Sequence, residues 1–348
     1  MFIPPYCPYS TCLAHKHPSK RHFLRYGYYK PLCRATAVPR FRCRTCKRTY
    51  SRQTFRADYR DHKPHLNTQL FRLLISGVGL RQSSRMLPLT LRCTEIKFRK
   101  IGHHLRHLNL NVRGKLGHST ILQMDELETF ETRRRERPVT VPVLIDTPTR
   151  FIIWAESETL SPRGRMSTSR LQALAAEETQ FGPRKDNSKV AIRRVLTRAI
   201  PMVSGLEIVR VQTDEKLTYP SLLRSAFGTA RVIHEQTSSQ LARTVANPLF
   251  PINQTEAIAR DLLGRLRRQS WLASKKRCFL DLALQYLMTW KNLIKPRFNR
   301  DKATPAQFAG FLQRPLTYSE VLGWRQDQGL RSIPPCPRAM LGRGVYAA

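Results

Sequence analysis

The chain has 348 residues, in which 61 lysine and arginine side chains outnumber 24 aspartate and glutamate side chains to give a net charge of +37. A hydrophobic content of 41% suffices for folded cores and excludes wholesale disorder, and eight cysteines are too few for a disulfide-dense secreted scaffold. The charge favours polyanionic partners, nucleic acid first and an anionic membrane surface second.

The sequence lacks the patterns of secreted and membrane proteins. Residues 1–12 show no charged start followed by an apolar stretch, so we expect no signal peptide. The most apolar stretch, 279–294, is interrupted by Asp281, Gln285 and Lys291, so we expect no membrane span. We therefore expect a cytoplasmic, nucleoid-associated protein with no membrane partner.

The charge is unevenly distributed along the chain. Residues 1–118 carry 25 basic and three acidic side chains, a net charge of +22, whereas the other 230 residues carry +15. Acidic residues become frequent from Asp125 onwards. This division favours a front half that binds phosphates and a back half that carries out chemistry.

Residues 1–60 contain two close cysteine pairs, which predict a zinc-ribbon DNA-binding domain. Cys7 and Cys12 form one pair, and Cys43 and Cys46 form the other. Each pair fits one turn, and four thiolates complete a tetrahedron around a structural Zn²⁺. The first spacing is looser than usual, so a histidine or Cys33 could replace one ligand. The alternative is that these cysteines are unpaired thiols.

Residues 61–118 predict a helix-turn-helix DNA-binding domain. Leucines from Leu66 to Leu74 recur at helical spacing, Gly77 and Gly79 interrupt the pattern, and a short helix starts at Gln82. A basic helix over 91–108 follows, in the order of a motif whose last helix enters the major groove. The alternative is a helical linker with a solvated basic face. The candidate DNA-binding side chains are Arg92, Lys97, Arg99, Lys100 and Arg106.

The next segment predicts a sheet with acidic residues at its strands. Expected strands cover 120–130, 139–145, 150–155, 207–212 and 230–233. Asp125 lies within the first strand and Asp214 follows the fourth, whereas Asp146 fits a turn residue. Paired carboxylates at neighbouring strands can hold two Mg²⁺ or Mn²⁺ ions for phosphoryl transfer.

A third carboxylate is expected on a helix over about 255–268. At 100° per residue, Glu256 falls beside the apolar arc of this helix, whereas Asp261 and Asn253 lie further from it. The alternative for Glu256 is a surface ion pair with Arg260. We take Glu256 as the third catalytic acid and metal ligand.

The order of these features resembles bacterial insertion-sequence transposases of the DDE superfamily. The motifs that carry the resemblance are Met-Asp-Glu-Leu-Glu-Thr-Phe at 124–130, Thr-Asp at 213–214, the arginine-rich stretch 265–276, Asn292 with Arg-Phe-Asn at 297–299, Thr-Pro-Ala-Gln at 304–307 and Leu-Gly-Trp-Arg at 322–325. It covers most of the chain and leaves 160–204 unmatched as an expected insertion. Counted back from Ser270 and Ser274, the family's third acid falls nearer Asn253, which offers only a carbonyl oxygen.

The resemblance implies a ribonuclease-H-like catalytic domain over 119–300, two divalent metals, and a C-terminal tail over 301–348. We therefore expect a multidomain α/β transposase that cleaves transposon ends and transfers strands into target DNA. We expect it to act as a homo-oligomer on double-stranded DNA. The alternative is a non-catalytic DNA-binding protein, such as a repressor derived from a transposase.

Overall fold

The structure, a computed structural model, describes residues 2–31, 35–228, 231–267, 271–299 and 301–329. These residues form a mixed α/β fold divided into two compact units. The first unit takes its described residues from Met1–Arg72, Ser84–Val112 and Thr317–Ala348, and the second from Leu73–Ser83 and Arg113–Leu316. Within the described residues, no helix combines the length and apolar character that a membrane span requires.

The first unit begins with a small antiparallel sheet. Its elements are helix α1 (Leu13–Lys16) and strands β1 (Phe23–Tyr29), β2 (Val38–Cys43) and β3 (Thr49–Ser51), with β2 in the centre. Thiols and aromatic rings fill its core, among them Tyr6, Phe41, Tyr50 and Phe55. The aliphatic content is too low for a large core, which agrees with a fold that depends on a bound metal.

Three helices follow in the predicted order. They are α2 (Asn67–Ile75), α3 (Leu80–Met86) and α4 (Leu91–Arg113). Gly77 adopts a φ of 81° between the first two, a left-handed conformation that glycine adopts without strain. His104 of α4 is buried, and its Nε2 lies 2.9 Å from the carbonyl oxygen of Val321. The helix Tyr318–Gly323 therefore packs into this unit, although the sequence predicts a separate tail there.

The second unit contains a mixed sheet. Its strands are β4 (Ile121–Phe130), β5 (Pro138–Asp146), β6 (Phe151–Ala155), β7 (Glu158–Thr159), β8 (Val209–Asp214) and β9 (Val232–Thr237). The order is β6-β5-β4-β8-β9, and β7 pairs with β5. The pairs β4–β5 and β5–β6 are antiparallel, whereas β8 is parallel to β4 and to β9. Ala230, where the fifth strand was expected to start, lies outside the described residues.

The second unit also contains a series of α-helices. They are α5 (Thr168–Phe181), α6 (Ser188–Val203), α7 (Tyr219–Phe227), α8 (Phe250–Leu262), α9 (Arg277–Thr289) and α10 (Pro305–Phe308). Helix α6 packs on β5 and β6, α7 on β9, α8 on β4 and α9 on β6. This packing explains why β5 and β6 are almost continuously buried and apolar. The predicted insertion over 160–204 consists largely of α5 and α6.

The acid at the end of β5 is held in a turn, as the sequence predicts. Asp146 accepts hydrogen bonds from the Ser119 hydroxyl and from the backbone N–H of Thr149 at 3.1 Å. It is therefore a structural residue that closes the β5–β6 turn.

Candidate metal centres

The four predicted cysteines form a cluster in the first unit. The Sγ atoms of Cys7, Cys12, Cys43 and Cys46 all lie within 4.8 Å of one another. The Cys7–Cys46 and Cys12–Cys43 Sγ distances are both 3.7 Å. A Zn–S bond of about 2.3 Å gives a tetrahedron edge of roughly 3.8 Å, whereas a disulfide would require about 2.05 Å. The cluster therefore has the dimensions of a Cys₄ zinc site.

The second cysteine pair lies on a tight turn that favours a thiolate. The Lys47 N–H donates to the Cys43 carbonyl at 3.1 Å, and Lys47 has a φ of 60°. Burial raises the pKa of the Cys43 thiol, but the backbone N–H groups of Cys46 and Thr45 oppose it and lower the pKa to about 7. Burial raises the pKa of Cys7. Metal binding would therefore have to displace protons from part of the cluster.

No histidine joins this group within the described part of the chain. His15 instead places its Nδ1 2.7 Å from the carbonyl oxygen of Cys7, beside the cluster. Cys33, the other ligand left open by the sequence, lies outside the described residues.

In the second unit, Asp125 and Asp214 lie on neighbouring parallel strands. The paired residues include Leu122 with Val211 and Gln123 with Gln212. Continuing this register by two residues brings Asp125 level with Asp214. Side chains two residues apart on a strand point to the same face. Both aspartates therefore share a face with the two glutamines, which are hydrogen-bonded to each other.

The buried side chain of Gln123 links that face to helix α8. Its Nε2 donates to Gln212 Oε1 at 2.6 Å and to the Pro248 carbonyl at 2.8 Å. Its Oε1 accepts from the Ile252 N–H at 3.0 Å. Because Glu256 lies four residues after Ile252, one helical turn along α8, Gln123 holds the helix that carries Glu256 against β4.

Glu256 is the buried carboxylate of this helix. Only 2% of its surface is exposed, and its Oε1 has no hydrogen-bond partner among the described residues. The charges of Asp125 and Asp214 both act on it. Asp261 is exposed and Asn253 is partly buried, so burial distinguishes Glu256 from both alternatives. Glu256 is buried and not on the surface, but the charge of Arg260 does act on it and lowers its pKa.

Two of the three acids, Asp125 and Glu256, have pKa values above those of ordinary carboxyl groups. Burial, followed by the charge of Asp125, raises the pKa of Glu256 to about 8, although the charges of Arg260 and Arg243 oppose this. Burial and the charge of Asp214 raise the pKa of Asp125 to about 6, although the Glu126 N–H opposes this. A bound divalent cation would reverse both shifts. Among the described residues, only the thiols form a group within 4.8 Å, so the carboxylates are more widely spaced.

The neighbouring acid, Glu126, has a different environment. It accepts hydrogen bonds from Lys216, from the Tyr219 hydroxyl at 3.2 Å and from the Thr140 hydroxyl at 2.7 Å. These donors satisfy its carboxylate and tie β4 to the segment after Asp214. Glu126 is thus a positioning residue for the loop that follows Asp214.

The five basic residues expected to contact DNA differ in their exposure and in their partners. Arg92 is exposed and Arg99 is partly exposed. Lys97 is buried, and its Nζ lies 2.6 Å from both Asp61 carboxylate oxygens. Lys100 donates to the Tyr59 carbonyl, and Arg106 is buried with 6% exposure. The expectation of phosphate contacts is therefore corrected for Lys97, Lys100 and Arg106, because these side chains are engaged within the unit.

Gln123 is a part of the candidate site that was not predicted from the sequence. It lies two residues before Asp125 in an apolar strand, so period-two alternation places it on the same face. That alternation was the available signal, because a buried amide needs hydrogen-bond partners.

No protein-family model matches the chain, and none of the curated proteins matches it. Its function is therefore inferred from the geometry of the thiol and carboxylate centres.

Proposed function

We propose that this protein is a DNA transposase whose front half binds transposon ends and whose back half cleaves and joins DNA. The proposal is carried by the mutual electrostatic effect of the three acids: the charge of Asp214 acts on Asp125, and the charges of both aspartates act on the buried Glu256. The parallel register of β4 and β8, continued by two residues, places Asp125 beside Asp214. One buried and two partly buried carboxylates are costly unless cations or hydrogen-bond donors compensate them. Mg²⁺ and Mn²⁺ are the hard cations that such oxygen ligands prefer.

The sheet supports assignment of the second unit to a ribonuclease-H-like domain. Three antiparallel strands precede two parallel strands, and the order is β6-β5-β4-β8-β9. Asp125 lies on the central β4, and Asp214 is the last residue of β8. The proposal therefore takes one aspartate from each of two adjacent strands, as the resemblance to DDE transposases implies.

The chain's own residues would hold and shape this site. Asp125 and Asp214 would ligate the cations, and Glu256 would complete the site from α8 with its unpartnered Oε1. Two bound ions would supply charge stabilisation to the attacking and leaving oxygens of a phosphodiester. Gln123 keeps α8 in place, and Lys216 with Tyr219 holds the loop after Asp214 through Glu126.

Residues 1–118 would supply most of the affinity for DNA. Their net charge of +22 favours contact with DNA phosphates, and the Cys₄ cluster would stabilise the small sheet through Zn²⁺. Arg92 and Arg99 of α4 remain candidates for DNA contacts because neither is buried. Action as a homo-oligomer on DNA is part of the same proposal.

The test is Mg²⁺- or Mn²⁺-dependent cleavage of labelled duplexes taken from the DNA that flanks the gene. Asp125→Asn keeps the side-chain shape but removes the charge, so cleavage should fall about a thousandfold or more. Gel-shift binding of the same duplex should persist. Glu128→Gln is the matched control, because Glu128 lies on the same strand and is exposed.

Two outcomes would contradict the proposal that the protein is an enzyme. Cleavage by Asp125→Asn at the wild-type rate would show that this carboxylate is not needed for the reaction. Specific binding without cleavage by the wild-type protein would instead favour the non-catalytic repressor.

A further inference from the structure

One face of the small sheet in the first unit is exposed and has no part in the proposed DNA cleavage. Five consecutive residues of β1, 24–28, are exposed. Phe23 pairs with Cys43 of the thiol and aromatic core, and Leu24 pairs with Arg42. Because successive side chains of a strand point to opposite faces, Leu24 and Arg42 lie on the face away from this core, here called the outer face.

The outer face carries an exposed tyrosine beside two arginines. Tyr26 follows Leu24 by two residues along β1, and 44% of its surface is exposed. The guanidinium carbons of Arg40 and Arg42 lie 5.4 and 5.5 Å from the centre of its ring, where a cation is attracted to an aromatic ring. Both arginines belong to β2, whereas the other edge of β1 pairs with no strand among the described residues. The tyrosine is therefore open to a ligand on the side away from β2.

A bulge in β1 sets the position of this tyrosine. The register shifts between Arg25 and Tyr28, so that Tyr26 and Gly27 together lie opposite one residue, Arg40. Gly27 has a φ of 68°, and no neighbouring group would crowd a Cβ there, so the backbone conformation is what favours glycine. Bulges of this kind re-aim side chains and are frequent beside functional sites. The backbone itself thus holds the ring next to the cations.

The surroundings of the outer face are positively charged. Residues 1–57 contain no acidic side chain. The first acids in the sequence, Asp58 and Asp61, line a cavity together with Arg40, but each is ion-paired with another cation. The Nε of Arg42 donates to a backbone carbonyl at 3.1 Å, which orients its guanidinium without neutralising the charge. An accessible ring beside oriented cations suits a polyanion that presents planar groups.

We propose that the outer face binds a single-stranded stretch of DNA, an inference that rests on the proposed function because it takes DNA as the partner. A base would stack on the Tyr26 ring with Leu24 beside it, and a neighbouring phosphate would lie at Arg42. Aromatic rings stack on unpaired bases of any sequence, and cationic surfaces follow the backbone of the strand. In a paired duplex the faces of the bases are covered by their neighbours, so the ring would have no base to stack on.

The first experiment measures binding of a labelled oligothymidine strand, and of a duplex of the same length, to the full-length, zinc-loaded protein by fluorescence anisotropy. Tyr26→Leu removes the ring but keeps an apolar side chain. It should weaken binding of the single strand about tenfold, within the range for one stacked base, and should leave the affinity for the duplex unaltered. Unaltered affinity for the single strand in this variant would overturn the proposal.

Two further variants of the same strand are the controls. Tyr26→Phe keeps the ring and should bind the single strand as tightly as the wild type. Tyr28→Leu removes a ring that is 70% exposed but belongs to the other face, because Tyr28 pairs with Pro39, two residues from Phe41 of the core. It should also keep the wild-type affinity, and all three variants should keep the wild-type melting temperature. An equal loss of affinity in Tyr28→Leu would overturn the assignment to the outer face.

The cation of the outer face has a separate readout. Arg42→Gln should lower the slope of log affinity against log salt for the single strand by about 0.7, since one phosphate contact is lost. Arg134→Gln is the matched control, because Arg134 is exposed in the second unit and should leave this slope unaltered. The wild-type slope in Arg42→Gln would overturn the proposed phosphate contact.

Cleavage assays separate the outer face from the proposed catalytic site. Asp125→Asn should bind the single strand as tightly as the wild type. If Tyr26→Leu loses no affinity while the wild type cleaves DNA, only the proposal for the outer face is rejected. If the wild type does not cleave DNA but Tyr26→Leu weakens binding of the single strand, the proposal for the outer face stands and the catalytic one fails.

Discussion

The thiol centre and the carboxylate centre differ in how completely their ligands are assembled. The four sulfurs lie at tetrahedral distances and come from two short turns, as in a closed structural zinc site. The carboxylates come from two strands and a helix that are distant in sequence, and Glu256 keeps an oxygen without a partner. A structural metal needs all its ligands from the protein, whereas catalysis needs positions left for substrate and water.

The largest predicted effect concerns the thiol centre. Cys43→Ser removes one of four ligands, and structural zinc contributes roughly 10–16 kcal/mol to the folding of small zinc domains. We expect the variant to lose its zinc and the folded structure of residues 1–60, measured by elemental analysis and circular dichroism. Cys93→Ser is the control, because Cys93 is exposed and lies outside the cluster. One zinc per chain in Cys43→Ser would contradict the assignment.

Loss of a ligand should have the opposite effect on stability at the carboxylate centre. Without metal, removing the charge of Glu256 should stabilise the fold, whereas removing a cysteine should unfold residues 1–60. The pKa of Glu256 is raised from 4.5 to about 8, so its contribution to stability is fully present below about pH 4.5 and is lost as the pH rises through about 8. Between about pH 5 and about pH 9, the metal-free wild type should lose a few kcal/mol that Glu256→Gln retains.

The measurement is the melting temperature against pH, with and without Mg²⁺. Added Mg²⁺ should restore the melting temperature of the wild type at alkaline pH. It should not change the melting temperature of Glu256→Gln. Glu215→Gln should follow the wild type because Glu215 is exposed. The same pH dependence in the wild type and in Glu256→Gln would show that Glu256 does not titrate as its burial indicates.

A smaller effect is expected when a residue that supports the carboxylate centre is changed. Gln123→Met removes three hydrogen bonds to Gln212, Pro248 and Ile252, at a cost of about 2–3 kcal/mol in the free energy of unfolding. Because α8 would then be less firmly placed, cleavage should fall by about 10–100-fold. Gln236→Met, an exposed change on β9, is the control. An unaltered cleavage rate at unaltered metal affinity would remove Gln123 from the site.

The smallest effect on DNA binding is expected in α4, where exposed and buried cations should differ. Arg92→Gln should lower the slope of log affinity against log salt by about 1, since one phosphate contact is lost. Lys97→Met should leave that slope unchanged but destabilise the fold by about 3–5 kcal/mol, because Asp61 would remain buried without its cation. DNA binding at several salt concentrations measures the slope, and unfolding in denaturant measures the loss of stability. A reduced slope in Lys97→Met would restore Lys97 as a DNA contact.

Local patterns allowed much of this fold to be predicted from the sequence. The apolar runs of β5 and β6 mark strands because both faces are covered, and the cysteine spacing predicts a cluster because its ligands lie on short turns. The start of α8 was predicted at Thr255, five residues after its observed start at Phe250. Pro251 lies in the first turn, where proline is compatible with a helix although it usually signals a break.

Features that depend on distant partners could not be predicted in this way. Lys97 resembles any other cation on a basic helix until Asp61, which lies in an earlier segment, is placed beside it. Gln123 likewise acquires its role only when Pro248 and Ile252 are brought to it by the fold. Periodicity gives the face on which a side chain lies but does not give the group that meets it.

The central claim is that Asp125, Asp214 and Glu256 form one divalent-cation site. It is tested most directly by titrating the zinc-loaded protein with Mn²⁺ and following binding by electron paramagnetic resonance. We predict saturable binding in the wild type and in Asp261→Asn, and loss of that binding in Asp214→Asn and Glu256→Gln. Wild-type Mn²⁺ binding in Glu256→Gln, with loss in Asp261→Asn, would contradict the assignment.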